Sequence, residues 1–172
     1  APQYTGVPPA SFEQAVRWCR ANRVWLNIEI KPAKGAELET GRVVGRLTDE
    51  LYADLVREGG ATQAGVVPDA PLFSSFKPDA LRGAMETAPN IPRGFLVDEL
   101  PENWREVLEE MKCVALHCNQ RRLTPEFARE VKDLGYWLFC YTVNDPRRAC
   151  ELFSWGVDGL CTDRLDLVRP SL

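Results

Sequence analysis

The chain has 172 residues, with 21 Lys and Arg against 25 Asp and Glu, a formal net charge of −4. That balance excludes the basic stripe on which nucleic-acid binders depend, and no apolar run approaches the ~18 residues of a membrane span. A hydrophobic fraction of 45% beside 27% charged residues is an ordinary globular mix, and the length predicts one domain over residues 1–172.

Helical and strand patterns alternate along the chain. Ser11 caps a predicted helix over 11–22, with Phe12, Ala15, Val16 and Cys19 on one face. Val24 to Ile30 reads as a strand. A long amphipathic stretch over 37–58 carries Val43, Val44, Leu47, Leu51 and Leu55. Pro71 to Ser75 is a short buried strand, 78–88 is helical, and Gly94 to Val97 is the next strand. A helix over 103–112 leads into a strand from Cys113 to Leu116. Thr124-Pro125-Glu126 supplies an N-cap, a Pro at the first helical position and an acid in the first turn, and Gly135 ends that helix. Tyr136 to Thr142 is a strand, Asp145-Pro146 starts a helix that Gly156 stops, and Val157 to Cys161 is the last strand. A short helix is predicted over 165–169.

After the first, strand starts recur at roughly two-dozen-residue intervals, the spacing of minimal β-α units in a parallel sheet. An open doubly wound sheet and a barrel segment both fit. A closed (β/α)8 barrel takes about 250 residues and eight strands, so as a barrel this chain holds about six of eight units. The absent two are expected upstream, because the pattern opens on a helix.

Six cysteines (Cys19, Cys113, Cys118, Cys140, Cys150 and Cys161) show no C-x-x-C spacing. They are predicted to be free, mostly buried thiols of a reducing, cytoplasmic protein. The N-terminal Ala1-Pro2-Gln3-Tyr4 has neither the basic nor the apolar region of a signal peptide.

The most informative segment is Val24-Trp25-Leu26-Asn27-Ile28-Glu29-Ile30-Lys31-Pro32. Strand alternation puts Leu26, Ile28 and Ile30 under the helices, and Asn27, Glu29 and Lys31 on the opposite face. Polar groups on a face that parallel sheets normally bury are costly unless paired or bound. Glu29 and Lys31 lie at the C-terminal end of the strand, where such folds place their sites. There a carboxylate can bind a divalent cation and a lysine a phosphate, or the two can simply neutralise each other. Ser74-Ser75-Phe76 brings two hydroxyls and a ring to the same rim, and Tyr141 can wall a pocket. His117 stands at a strand end and reads as a structural or rim-lining residue. Asn144 or Asp145 caps the following helix; Asp158 and Asp163 cap or bond loops. The chain has no G-x-G-x-x-G, P-loop, H-E-x-x-H or G-x-S-x-G, so nucleotide and serine-hydrolase chemistry lack support.

Trp25 to Pro32, Leu72-Phe73-Ser74-Ser75-Phe76, Tyr141-Thr142-Val143-Asn144 and Asp158-Gly159-Leu160-Cys161-Thr162-Asp163, in that order, resemble the glycerophosphodiester phosphodiesterase family, above all its bacterial cytoplasmic members. The resemblance implies a (β/α)8 TIM barrel of the phosphatidylinositol-phospholipase-C-like type. It also implies hydrolysis of a small glycerophosphodiester to glycerol 3-phosphate and an alcohol, assisted by Ca²⁺ or Mg²⁺. Glu29 then matches a metal-binding carboxylate, Lys31 the basic residue near the phosphate, and Phe76 and Tyr141 the substrate pocket; Tyr141 stands where the family often has Trp. The family's His-Arg-Gly, Glu-x-Asp and His-Asp segments have no match, so both catalytic histidines are absent. Gly6 to Glu13 resembles the region just after them. The chain is therefore expected to be the C-terminal two-thirds of such a barrel, completed by an N-terminal segment or another chain and inactive alone. The alternative is a non-catalytic barrel remnant acting as a structural or binding module.

Overall fold

The computed structural model describes Gly6, residues 8–58 and residues 70–169. Val7 and Ala1 to Tyr4, read above, lie outside the described residues.

The first helix, α1 (Phe12–Ala21), starts where the sequence placed it. The Ser11 hydroxyl accepts from the Gln14 amide at 3.2 Å, and the Gln14 side chain accepts from the Ser11 amide at 2.9 Å, a reciprocal capping box. Strand β1 (Asn27–Glu29) is shorter than the predicted 24–30, although bonds from Leu72 N–H to the Leu26 carbonyl and from Ile30 N–H to the Ser74 carbonyl extend its pairing. The predicted 37–58 helix divides into α2 (Glu37–Leu51) and α3 (Ala53–Glu58) at Tyr52. The Tyr52 ring is buried there, with the Arg20 guanidinium 4.8 Å above it.

Then come β2 (Leu72–Ser75), α4 (Pro78–Thr87), β3 (Arg93–Val97) and α5 (Trp104–Glu110). They are followed by β4 (Ala115–Asn119), α6 (Pro125–Asp133), β5 (Trp137–Tyr141), α7 (Pro146–Ser154) and β6 (Gly159–Leu160). Thr124 and Asp145 cap α6 and α7 through Phe127 N–H at 3.3 Å and Arg147 N–H at 2.9 Å. Gly135 and Gly156 follow these helices at φ +84° and +93°, a conformation that a Cβ would strain. Other predicted bounds shift as well: the last strand, predicted over Val157 to Cys161, is confined to Gly159–Leu160. The strand predicted from Cys113 lies two residues later, which moves His117 from its end to its middle. The predicted 165–169 helix is a single turn, with the Leu167 and Val168 amides sharing the Arg164 carbonyl.

The six strands form one parallel sheet in the order β1-β2-β3-β4-β5-β6. Consecutive parallel neighbours need a crossover each time, and the helices supply it on one side only, so the sheet curls. Side chains alternate accordingly. Phe73, Phe95, Val97, Leu116, Cys118, Leu138 and Cys140 point to the helices and form the core. Burying each large apolar side chain stabilises the fold by about 1.5–3 kcal/mol. The helix layer is tightest between α2 and α4: a methyl on Gly41 would strike the Ala80 carbonyl, and one on Gly83 the Leu38 carbonyl. The opposite faces of the strands look into the concavity. Phe76, just after β2, meets Tyr141 of β5 edge-on at 5.9 Å, so the curl brings non-adjacent strands together.

Candidate active site

The concavity holds a cavity of about 310 Å³ toward the C-terminal ends of the strands. Asn27, Glu29 and Lys31 line it from one edge of the sheet and Cys161 from the other, with Phe76, His117, Phe139 and Tyr141 between. Alternation along β1 thus delivers the polar face that the sequence indicated. The cost assigned to burying it does not arise, because the side chains of Lys31 and Glu29 remain 75% and 32% exposed. Lys31 Nζ lies 3.3 Å from Glu29 Oε2. Both readings of the pair therefore coexist: an ion pair is present, and it faces a cavity.

Phe76 and Tyr141 form the aromatic wall. The Tyr141 hydroxyl donates to the Val97 carbonyl at 2.7 Å, which fixes the ring and commits its proton. Burial, helped by the nearby Asp98 carboxylate, pushes this phenol up to about 12. Tyr141 thus offers a ligand its ring and not an acid. Ser75 faces away from the cavity: its hydroxyl donates to the Ile30 carbonyl at 2.7 Å and accepts from Lys77 N–H at 3.1 Å. Of the two rim hydroxyls read from the sequence, only Ser74 is on the inner face. Asp145 is the helix cap, whereas the Asn144 side-chain oxygen accepts from the Thr162 hydroxyl (3.1 Å) and Asp163 N–H (2.9 Å), latching one rim loop to the next. Asp158 accepts from Lys132 Nζ (2.6 Å) and Leu138 N–H (2.7 Å) at the N-terminal end of the sheet, away from the cavity.

His117 is buried and stacks on Phe139 with ring centroids 4.8 Å apart. Burial lowers its pKa to about 4, so the imidazole is neutral at physiological pH. The sequence reading missed Phe139, Leu96 and Cys161 as cavity residues. Period-two alternation from Tyr141 would have reached Phe139, but Leu96 is placed by its cross-strand register with His117 and β6 is too short to show a period.

A divalent cation can be tested against these residues. Among the described residues, no group of three or more His, Cys, Asp or Glu side chains could hold a metal ion. Among the described residues Glu29 is the one carboxylate lining this cavity, and it faces an ammonium. Ca²⁺ takes six to eight oxygen ligands. On their own, then, the described residues do not make a cation site.

A curled parallel half-barrel with an acid, an amine and an aromatic wall at its C-terminal end has the layout of a (β/α)8 barrel enzyme. The model of the glycerophosphoryl diester phosphodiesterase family matches residues 6–167, and the chain belongs to that family. A glycerophosphodiester phosphodiesterase of Bacillus subtilis is 29% identical over 104 residues, 58% of this chain and 36% of that protein. Among solved structures, an Oleispira antarctica phosphodiesterase in complex with the product sn-glycerol-3-phosphate superposes with a TM-score of 0.72 at 30% identity, covering 88% of this chain and 56% of that one. A glycerophosphodiester phosphodiesterase of Parabacteroides distasonis shares the fold with a TM-score of 0.66 at 24% identity, over 90% of this chain and 60% of that one. The chain therefore spans about a third of the curated relative (36%) and just over half of the Oleispira one (56%). Its six strands are the corresponding part of a TIM-barrel fold.

Proposed function

We propose that a protein carrying this chain hydrolyses small glycerophosphodiesters to glycerol 3-phosphate and an alcohol, and that this chain supplies the phosphate-gripping side of the site. The observation that carries the reading is the pair Glu29 and Lys31 on one face of β1, opening onto a cavity walled by Phe76 and Tyr141. Lys31, largely exposed and two residues past the acid, meets a phosphate oxygen as a point charge. Glu29 holds the ammonium over the cavity and leaves carboxylate oxygen available as one arm of a Ca²⁺ or Mg²⁺ site. The other arms, and the two histidines that would act as acid and base, belong to an N-terminal segment or another chain that completes the barrel. The rings of Phe76 and Tyr141 pack against the carbon skeleton of the ligand. No described helix is long and apolar enough to cross a membrane. The six unpaired cysteines support a cytoplasmic location.

A second reading, a binding module without catalysis, is favoured by one fact: the single histidine of the chain, His117, is buried and neutral. Hydrolysis of glycerophosphocholine with Ca²⁺ or Mg²⁺ separates the two. Within a complete barrel, Glu29→Gln is expected to lower cation-dependent turnover about 100-fold, the scale of losing one group from a metal site. Unchanged turnover would remove Glu29 from that site, and a complete barrel with no turnover would leave the binding module. Turnover by the 172-residue chain alone would refute the claim that the acid and base come from elsewhere.

A further inference from the structure

Strand β6 ends the sheet: among the described residues it pairs on one side, with β5, and for two residues. Cys161, the next residue, is nevertheless a wall of the cavity, on the edge opposite Glu29. Its N–H donates to the Cys140 carbonyl and its carbonyl accepts from Val143 N–H, each at 2.8 Å. There the ladder stops, and the Asn144 side chain takes over. Its amide oxygen accepts from the Thr162 hydroxyl at 3.1 Å and from Asp163 N–H at 2.9 Å, and its Nδ2 lies 3.4 Å from Asp163 Oδ2. The Thr162 hydroxyl in turn accepts from Arg164 N–H at 3.0 Å, and the turn that follows buries Val168 in the core. A side-chain amide suits this place, because it offers an acceptor to two donors and a donor to a carboxylate. Helix capping does not account for Asn144, since Asp145 caps α7. Thr142, two residues before Asn144, and Cys161, one before Thr162, both line the cavity, whereas Asn144 does not. The latch thus joins two pieces of cavity wall from just outside it.

We infer that Asn144 is a positioning residue: by clamping the end of β6 to the end of β5 it holds the Thr142 and Cys161 wall at a fixed distance from Glu29 and Lys31. The inference rests on the proposed phosphodiesterase reading and adds to it what sets the width of the site. A wall touches substrate and transition state alike, so loosening it weakens both and is read in KM while kcat holds. Cys161 reports the same event independently. Burial, with the Glu29 and Asp163 carboxylates nearby, holds its thiol above the ordinary range, so a wall that swings outward reacts faster with alkylating reagents.

The test uses a protein that carries this chain within a complete barrel. Asn144→Ala is expected to speed iodoacetamide labelling of Cys161 about fivefold, the scale of two modest hydrogen bonds, and to leave Cys150 on α7 at the wild-type rate. The KM for glycerophosphocholine should rise by a similar factor, with kcat kept within about twofold. Thr162→Val, which removes one partner of the latch, should move both readouts the same way by less; if Asn144→Ala fails to fold, Thr162→Val decides alone. A merely structural role would instead shrink the active fraction, lowering apparent kcat at constant KM and raising Cys150 and Cys161 labelling together, and that pattern overturns the inference. An unmoved Cys161 rate or an unmoved KM overturns it as well, while wild-type turnover of glycerophosphocholine keeps the reaction reading intact. A wild type that hydrolyses no glycerophosphodiester would refute the reaction reading, and the labelling rates alone would then decide whether Asn144 holds the wall.

Discussion

Arg93 opens β3 with only 4% of its surface exposed, and its charge is met by carbonyl oxygens. Its Nε donates to the Met111 carbonyl at 2.8 Å and Nη1 to the Ile91 carbonyl at 2.7 Å; longer bonds reach Pro89 (3.2 Å) and Lys112 (3.3 Å). One planar group therefore stitches the loop entering β3 to the end of α5. Arg93→Ala would orphan four acceptors. The two short, buried ones should cost about 1–3 kcal/mol each, and the longer two, within reach of water, little. Burial holds the guanidinium below its ordinary pKa, and relief of that desolvation offsets part of the loss. The expected net destabilisation is about 3 kcal/mol, a large share of the ~5–15 kcal/mol that holds a domain together. With a urea slope of about 2 kcal/mol per M, the unfolding midpoint falls by about 1.5 M. Arg93→Lys should recover less than half of this, because one ammonium cannot replace a fork aimed at two sides. An Arg93→Ala midpoint within about 0.3 M of wild type would refute the reasoning.

Other expectations can be checked alongside it. The neutral His117 titrates near 4 in the fold against about 6.5 unfolded, so its contribution to stability is whole above pH 6.5 and drains as the pH falls toward about 4. His117→Gln should flatten that stretch of the midpoint-against-pH curve; an unchanged slope would place the acid sensitivity elsewhere. In a thiol-reagent titration of the native protein, exposed Cys150 and Cys161 should react first, and buried Cys113, Cys118 and Cys140 only on unfolding. Burial pushes the Cys113 and Cys140 thiols up to about 12, which reinforces the order. Gly41→Ala gains about 1 kcal/mol of helix propensity but drives a methyl into the Ala80 carbonyl, so a net loss of at least about 1 kcal/mol is expected; a stabilised variant would show that α2 and α4 can part freely.

Much of this was readable in the chain because its signals are local. The caps at Ser11, Thr124 and Asp145 and the stops at Gly135 and Gly156 act over a few residues and fell where the sequence put them. The polar alternation at Asn27, Glu29 and Lys31 was legible because strand geometry has a period of two. The rest depended on contacts between distant residues. Tyr52 breaks a long amphipathic pattern through its contact with Arg20, 32 positions away, which no local propensity reveals. The position of His117 turned on a two-residue shift of β4, set by pairing of Ala115 with Gly94 and Trp137 and not by the apolar run itself. Ser74 and Ser75 look alike in sequence; only the fold gives one a carbonyl partner and leaves the other without one.

Trp25 and Trp137 stand half exposed, at 49% and 51%, and Trp25 stacks on Phe139 at 6.3 Å. Indole emission shifts toward shorter wavelengths when the ring leaves water. These two residues therefore give the half-barrel a built-in optical gauge: any polypeptide that closes the bowl over them should announce its arrival as a blue shift, with no label attached.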